Sequence, residues 1–205
     1  MPTGDVSEYQ KKRDFRKTPE PSGDKVDFDW ADRPVFVIQK HDASNLHYDF
    51  RIEVDGVLKS WAVPKGPSTD PGVKRMAVPT EDHPLEYADF EGVIPEDEYG
   101  GGTVMVWDRG SYENIKEDED GDDAKSVSQQ IDDGHVTIRL NGEKIKGGYA
   151  LINTGQRWLL IKMKDDDADA RRNPTSSEPK SVKTGRTLEE IREQEGKDED
   201  DGLPA

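Results

Sequence analysis

The 205-residue chain contains no cysteine, which excludes disulfides and thiolate metal sites, so any metal must be held by His, Asp, Glu or water. No apolar run approaches the length of about 18 residues that a membrane helix needs. The N-terminus, MPTGDVSEYQKKRDF, has no apolar core of the kind a secretory signal carries, and a cytoplasmic protein is expected. Apolar residues are scarce at 31%, against 36% charged, so one domain with a real core is expected together with segments that do not pack. Cations are also short, 29 against 45 acids, for a net charge of −16. That deficit argues against a wide, sequence-independent grip on a nucleic-acid backbone, though not against a small basic pocket that takes one phosphate. The imbalance is uneven. Residues 113–135 hold nine acids and two bases, whereas residues 136–164 hold six bases and one acid.

What is present is concentrated in Leu46-His47-Tyr48-Asp49-Phe50-Arg51-Ile52-Glu53-Val54. Strict alternation predicts a strand with Leu46, Tyr48, Phe50, Ile52 and Val54 on one face. The other face carries an imidazole, a carboxylate and a guanidinium in one row, about 6–7 Å apart at the usual strand rise. Upstream, Val35–Gln39 reads as a strand that leads into Lys40-His41. With His83, three of the four histidines fall within about forty residues. His41, His47 and Asp49 form a two-His, one-carboxylate set suited to manganese, iron or zinc with positions left open for substrate. Arg51 on the same face, with Lys65, Arg75 and His83, supplies cations suited to a phosphate.

Further strands are expected at Val57–Val63, Arg75–Val78, Thr103–Trp107, Val136–Leu140, Gly148–Asn153 and Trp158–Lys162. Asp55-Gly56 and Asn141-Gly142 read as hairpin turns. Many short strands between turns predict an all-β fold, a small closed or partly open β-barrel with short helical pieces and flexible termini. Residues 1–30 read as a mobile polar arm, 31–164 as the barrel domain with 113–135 an acidic loop insertion, and 165–205 as a polar tail with a short helix opened by a capping box at Thr187. Residues 116–134 are expected to be mostly loop, with one helical turn near Val127–Ile131. Tyr99-Gly100-Gly101-Gly102 reads as a tight turn, Trp61, Trp107 and Trp158 as core, His83 as lying in or near a loop, and His135 as a surface or core residue. On the residues alone three functions stay open: a metal-dependent phosphoesterase, a non-haem iron oxygenase built on His47, Asp49 and His83, and a non-catalytic DNA-end-binding module.

The blocks QKH, LHYDFR, SWAVPKGPS and EDHPLEY, in stretches running from KKRDFRKTPEP to WLLIKMKD, resemble the 3′-phosphoesterase domain of bacterial and archaeal DNA ligase D. The resemblance implies a compact β-barrel with a metal-containing crater. It implies an enzyme that removes a terminal 3′ ribonucleoside and then the 3′-phosphate from DNA, leaving a 3′-hydroxyl for ligation. By motif it implies His41, His47 and Asp49 as metal ligands, with manganese favoured over zinc or cobalt. It implies Arg51, His83, Tyr87, Lys65 and Arg75 as groups acting on the scissile phosphate. Arg13, Asp14, Glu20, Gln39 and Glu81 follow as substrate-binding residues. DNA 3′ ends, a separately encoded DNA ligase and Ku are the implied partners. The chain then looks like a free-standing, monomeric version of the domain.

Overall fold

The computed structural model describes residues 4–24 and 30–196. Nine strands follow in order: β1 (Val35–Asp42), β2 (Leu46–Val54), β3 (Val57–Val63), β4 (Lys74–His83), β5 (Gly92–Ile94), β6 (Gly102–Asn114), β7 (His135–Gly142), β8 (Lys146–Asn153) and β9 (Trp158–Lys162). Eight of them run β1-β2-β3-β4-β9-β8-β7-β6, and β6 pairs back onto β1, so the sheet closes into an antiparallel barrel. β5 is an extra strand laid on the start of β6. Asp55-Gly56 joins β2 to β3 with both residues at positive φ, +52° and +83°, as the tightest hairpin turn requires.

Strand alternation gives the wall two faces. Phe36 and Ile38 of β1, Tyr48, Phe50 and Ile52 of β2, Trp61 of β3, Met105 and Trp107 of β6 and Leu160 of β9 point inward and fill the barrel. The residues between them point outward. Val37, Leu58, Val104 and Val106 join a second apolar cluster with Tyr9, Tyr87, Ala88, Phe90 and Ile94. This outer cluster is assembled by a short helix α1 (Ser7–Lys11), by a 3-10 turn over Leu85–Asp89, and by β5. The expected arm is therefore packed over residues 4–24, with Tyr9 fully buried, and the rest of the 1–30 segment that was read as mobile (1–3 and 25–29) lies outside the described residues, apart from Trp30.

Three local readings need correction. The acidic 116–134 stretch is largely helical: α2 (Ile115–Asp120), a 3-10 turn and α3 (Val127–Asp133). Asn114 caps α2, while a Ser126/Gln129 capping box and left-handed Gly134 bracket α3, so caps rather than apolar periodicity define these helices. Asn141-Gly142 is not the turn. β7 runs through both, and the chain reverses over 143–145, where the buried Asp108 carboxylate accepts the N–H groups of Glu143, Lys144 and Ile145 at 2.9, 3.2 and 2.8 Å. β4 extends beyond Arg75–Val78, and His83 is its last residue rather than part of a loop.

Trp61 and Trp107 lie in the core, Trp158 packs partly against it, and His135 is exposed. The segment after β9 also lies on the barrel. The Trp107 indole N–H donates to the Glu178 carbonyl at 2.8 Å, and Val182 N–H donates to the Val106 carbonyl at 3.0 Å. It contains α4 (Pro174–Ser177) and ends in α5 (Leu188–Glu195), which opens on the Thr187/Glu190 capping box and buries Ile191. No helix among the described residues is long and apolar enough to cross a membrane.

Candidate active site

The outward row of β2 meets the outward row of β1 in register. Gln39 lies opposite Asp49, and His41 opposite His47. Directly opposed residues of an antiparallel pair hold their Cβ atoms about 4.5–5.5 Å apart, and the two imidazole centroids are 4.9 Å apart. His41 Nδ1 lies 3.6 Å and His47 Nε2 3.2 Å from Asp49 Oδ2. One ligand atom from each of the three falls within 4.8 Å of the others, so the group can hold a metal ion.

Both rings are oriented by backbone carbonyls. His41 Nε2–H donates to Gly100 O at 2.8 Å, and His47 Nδ1–H donates to Asn45 O at 2.9 Å. A carbonyl only accepts, so these bonds turn the other nitrogen of each ring toward Asp49, where it donates to the carboxylate when protonated and presents a lone pair to a metal when not. Burial alone would raise the Asp49 carboxyl, but Arg51 and the two imidazoles outweigh it and hold it well below the usual carboxylate range. Once those two ring nitrogens give up their protons, the carboxylate and the imidazoles form an N/O donor set that fits a borderline or hard divalent ion.

Beside this group lies a pocket of about 240 Å³ whose lining includes Arg13, Arg51, Glu81, His83, Tyr87 and Tyr99. Arg51 is buried and engaged at each nitrogen: Nε donates to Gln39 Oε1 at 2.8 Å, Nη1 lies 3.2 Å from His83 Nδ1, and Nη2 lies 3.3 Å from Asp49. Gln39 is held in turn by donating to the carbonyls of Tyr87 and Phe90 at 2.7 and 3.0 Å. His83 stacks edge-on with Tyr87 at 4.7 Å, and its pKa is pushed well below the ordinary value by burial, then by the charges of Arg51 and Arg13. It is a neutral imidazole at physiological pH. Tyr87 donates to Glu20 at 2.8 Å, and burial followed by the Glu20 charge keeps it a phenol.

The N-terminal segment forms the far wall. Arg13 Nε donates to Glu20 at 2.9 Å, its Nη1 lies 3.4 Å from Glu81, and its guanidinium rests on the Tyr9 ring at 3.9 Å. Glu20 also accepts the Thr18 hydroxyl at 2.9 Å.

The fold thus gathers His41, His47, Asp49, Arg51, Gln39, His83, Tyr87, Arg13, Glu20 and Glu81. It does not bring in three of the expected residues. Lys65 is exposed in the turn after β3 and does not line the pocket. Arg75 has the same strand parity as the core residue Ala77, so its side chain leaves β4 on the barrel-interior face. Asp14 pairs with Arg16 at 3.0 Å, away from the pocket. The sequence reading missed Tyr9, which supports Arg13 and touches the rings of His83 and Tyr87. It also missed Lys12, paired with Glu81 at 3.4 Å. Lys12 sits within the KKRDF block, whereas Tyr9 precedes it, and a lone aromatic in a polar stretch has no periodic signal.

The family model of the DNA Ligase D 3'-phosphoesterase domain matches residues 39–153. The multifunctional non-homologous end joining protein LigD of Pseudomonas aeruginosa is 50% identical over 190 residues, 89% of this chain and 22% of that protein. The multifunctional non-homologous end joining DNA repair protein LigD of Mycobacterium tuberculosis is 46% identical over 161 residues, 78% of this chain and 20% of that protein. The chain spans about a fifth of the length of these curated relatives. The match starts at Gln39, on the strand that carries His41, and covers His41, His47 and Asp49 with Arg51, His83 and Tyr87. With more than half its length matched, the chain belongs to the DNA ligase D 3′-phosphoesterase domain family.

Proposed function

We propose that this chain is a metal-dependent phosphoesterase that heals DNA 3′ ends, removing a terminal 3′ ribonucleoside and then the remaining 3′-phosphate to leave a 3′-hydroxyl. The observation that carries the reading is the meeting of a ready donor set, His41, His47 and Asp49, with Arg51 and neutral His83 in one pocket. His41, His47 and Asp49 would hold the ion, with manganese favoured and zinc or cobalt as alternatives. Bound there, a divalent ion supplies charge against the non-bridging oxygens and lowers the pKa of water.

The remaining work belongs to the chain. Arg51 is locked by Gln39, so it offers a preorganised charge to the phosphate at little reorganisation cost. His83, neutral and beside Arg51, places a polar ring edge beside the phosphate without adding a second full charge. Tyr87, fixed by Glu20, roofs the pocket and excludes water. Arg13, Glu20 and Glu81 hold the far side of an internal phosphodiester, which a terminal phosphate does not need. A DNA ligase is the proposed consumer of the healed end, with Ku as an end-binding partner.

The test is turnover of a recessed duplex carrying one 3′ ribonucleotide or a 3′-phosphate, with and without manganese, zinc or cobalt, in the wild type and in His47→Ala. The expected result is metal-dependent conversion to a 3′-hydroxyl by the wild type alone. Conversion by His47→Ala at the wild-type rate, or none by the wild type with any ion, would sink the reading.

A further inference from the structure

The Tyr99-Gly100-Gly101-Gly102 run forms the turn into β6. Tyr99 lines the same pocket as Arg51 and His83, yet it is 48% exposed, while Tyr87 in that pocket is buried. Two cations accompany it. Lys12 Nζ lies 5.0 Å and the Arg13 guanidinium 5.2 Å from the ring centroid, and Lys12 Nζ is 3.5 Å from the hydroxyl. An exposed aromatic flanked by cations at the mouth of an anion pocket has the makeup of a single-strand stacking platform.

The backbone beneath it is tightly constrained. Gly100 has φ +76° and carries the carbonyl that orients His41. A Cβ on Gly101 would lie 2.7 Å from Pro95 O, and one on Gly102, at φ +138°, would lie 2.2 Å from Asp42 O. The turn is thus wedged between the 95–96 backbone and the end of β1, and Tyr99 is placed relative to the metal ligands before any substrate arrives. Preorganisation of this kind lowers the ordering cost of binding.

We propose that Tyr99 is a substrate-binding residue that stacks on the nucleobase of the terminal nucleotide whose 3′-phosphate is held at Arg51 and His83. The idea rests on the DNA 3′-end reading above. A nucleotide's base stands one sugar away from its 3′-phosphate, so a phosphate inside the pocket presents its base at the mouth. Stacking reads a π face that every base has, so the site takes any base but distinguishes a base from none.

The experiment compares full-length wild type, Tyr99→Ala and Tyr99→Phe on duplexes with a recessed 3′-phosphate. The terminal nucleotide is either natural or an abasic tetrahydrofuran analogue. For natural ends Tyr99→Ala is expected to raise KM about tenfold with little change in kcat, and Tyr99→Phe to stay near wild type. Wild type should lose the same factor on abasic ends, where Tyr99→Ala should lose nothing more. If Tyr99→Ala raises KM equally on natural and abasic ends, Tyr99 merely braces Lys12 and Arg13 and the proposal fails. It also fails if Tyr99→Ala leaves KM unchanged on natural ends.

A second arm is independent of turnover. Fluorescence of 2-aminopurine at the terminal position of an unphosphorylated primer should be quenched by wild type and Tyr99→Phe but not by Tyr99→Ala. Equal quenching by all three overturns the stacking role. Quenching lost in Tyr99→Ala, with no hydrolysis by wild type under any metal, leaves the stacking role standing and overturns the phosphoesterase reading instead.

Discussion

Arg51 gives each of its three nitrogens to a different neighbour: Gln39, His83 and Asp49. That makes it the residue that joins the His41, His47 and Asp49 group to the pocket beside it. Arg51→Ala and His83→Ala are each expected to lower phosphatase turnover at least about a hundredfold, since losing one preorganised partner of developing charge typically costs roughly 2.7–4 kcal/mol. Bound manganese, measured by elemental analysis, should remain near one equivalent in both variants. Near-normal rates in either would remove that residue from the mechanism. His83 also predicts a pH dependence of stability. Its folded pKa lies well below the ordinary value of about 6.5, so the unfolded chain takes up a proton that the native state refuses. Stability from this group is complete above about pH 6.5 and is lost as pH falls toward the folded pKa. His47 has the opposite sign: against the lowering effect of burial, Asp49 raises its pKa, so it favours the fold on acidification. His83 carries the larger shift, so the urea midpoint should fall between pH 7 and 5, and His83→Gln should flatten that fall. An unchanged slope in the variant would show that other groups set it.

At the scale of elements, the N-terminal segment is both roof and wall. It buries Tyr9 in the outer cluster and holds Arg13 between Glu20 and Glu81. Removing residues 1–20 is expected to reduce ribonucleoside removal more than 3′-phosphate removal. Because that truncation also uncovers apolar surface, Arg13→Gln is the cleaner probe, and equal loss of both activities in it would contradict the division of labour. The C-terminal helix offers a simpler measurement. Thr187→Ala removes one half of a reciprocal cap and should cost about 1 kcal/mol in chemical denaturation, with no change in metal binding. These elements also show where sequence reading succeeds. The alternation of Leu46–Val54 disclosed both faces of β2, Asp55-Gly56 disclosed its hairpin, and Thr187/Glu190 disclosed a cap, because each signal is local. The course of residues 4–24, the inward parity of Arg75 and the Asp108 turn are set by contacts with distant parts of the chain, for which local periodicity has no term. The meeting of His41, His47 and Asp49 was legible because it involves one strand and its neighbour. The wall opposite it was only hinted at, because it is assembled from segments some forty to eighty residues apart.

At the scale of the whole molecule, a net charge of −16 repels a polyanion except where cations gather. Binding should therefore be confined to the 3′ terminus, with poor affinity for blunt duplex, which offers no recessed 3′ end. The slope of log K against log salt should correspond to only a few phosphates, at about 0.9 per phosphate neutralised. Titration of fluorescent duplexes measures both. Sub-micromolar binding at physiological salt that is indifferent to the terminus would favour an end-binding scaffold.

The two-faced wall has one further consequence. Along β1 and β2, alternate residues belong to different enterprises: Phe36, Ile38, Phe50 and Ile52 hold the barrel shut, while His41, Asp49 and Arg51 line the site and Gln39 braces Arg51. The frame and the chemistry share a backbone and almost no side chains. Changes in substrate preference can therefore accumulate on the outer register while the inner register keeps the scaffold intact, and a variant library restricted to outward positions should return folded proteins far more often than one that samples both.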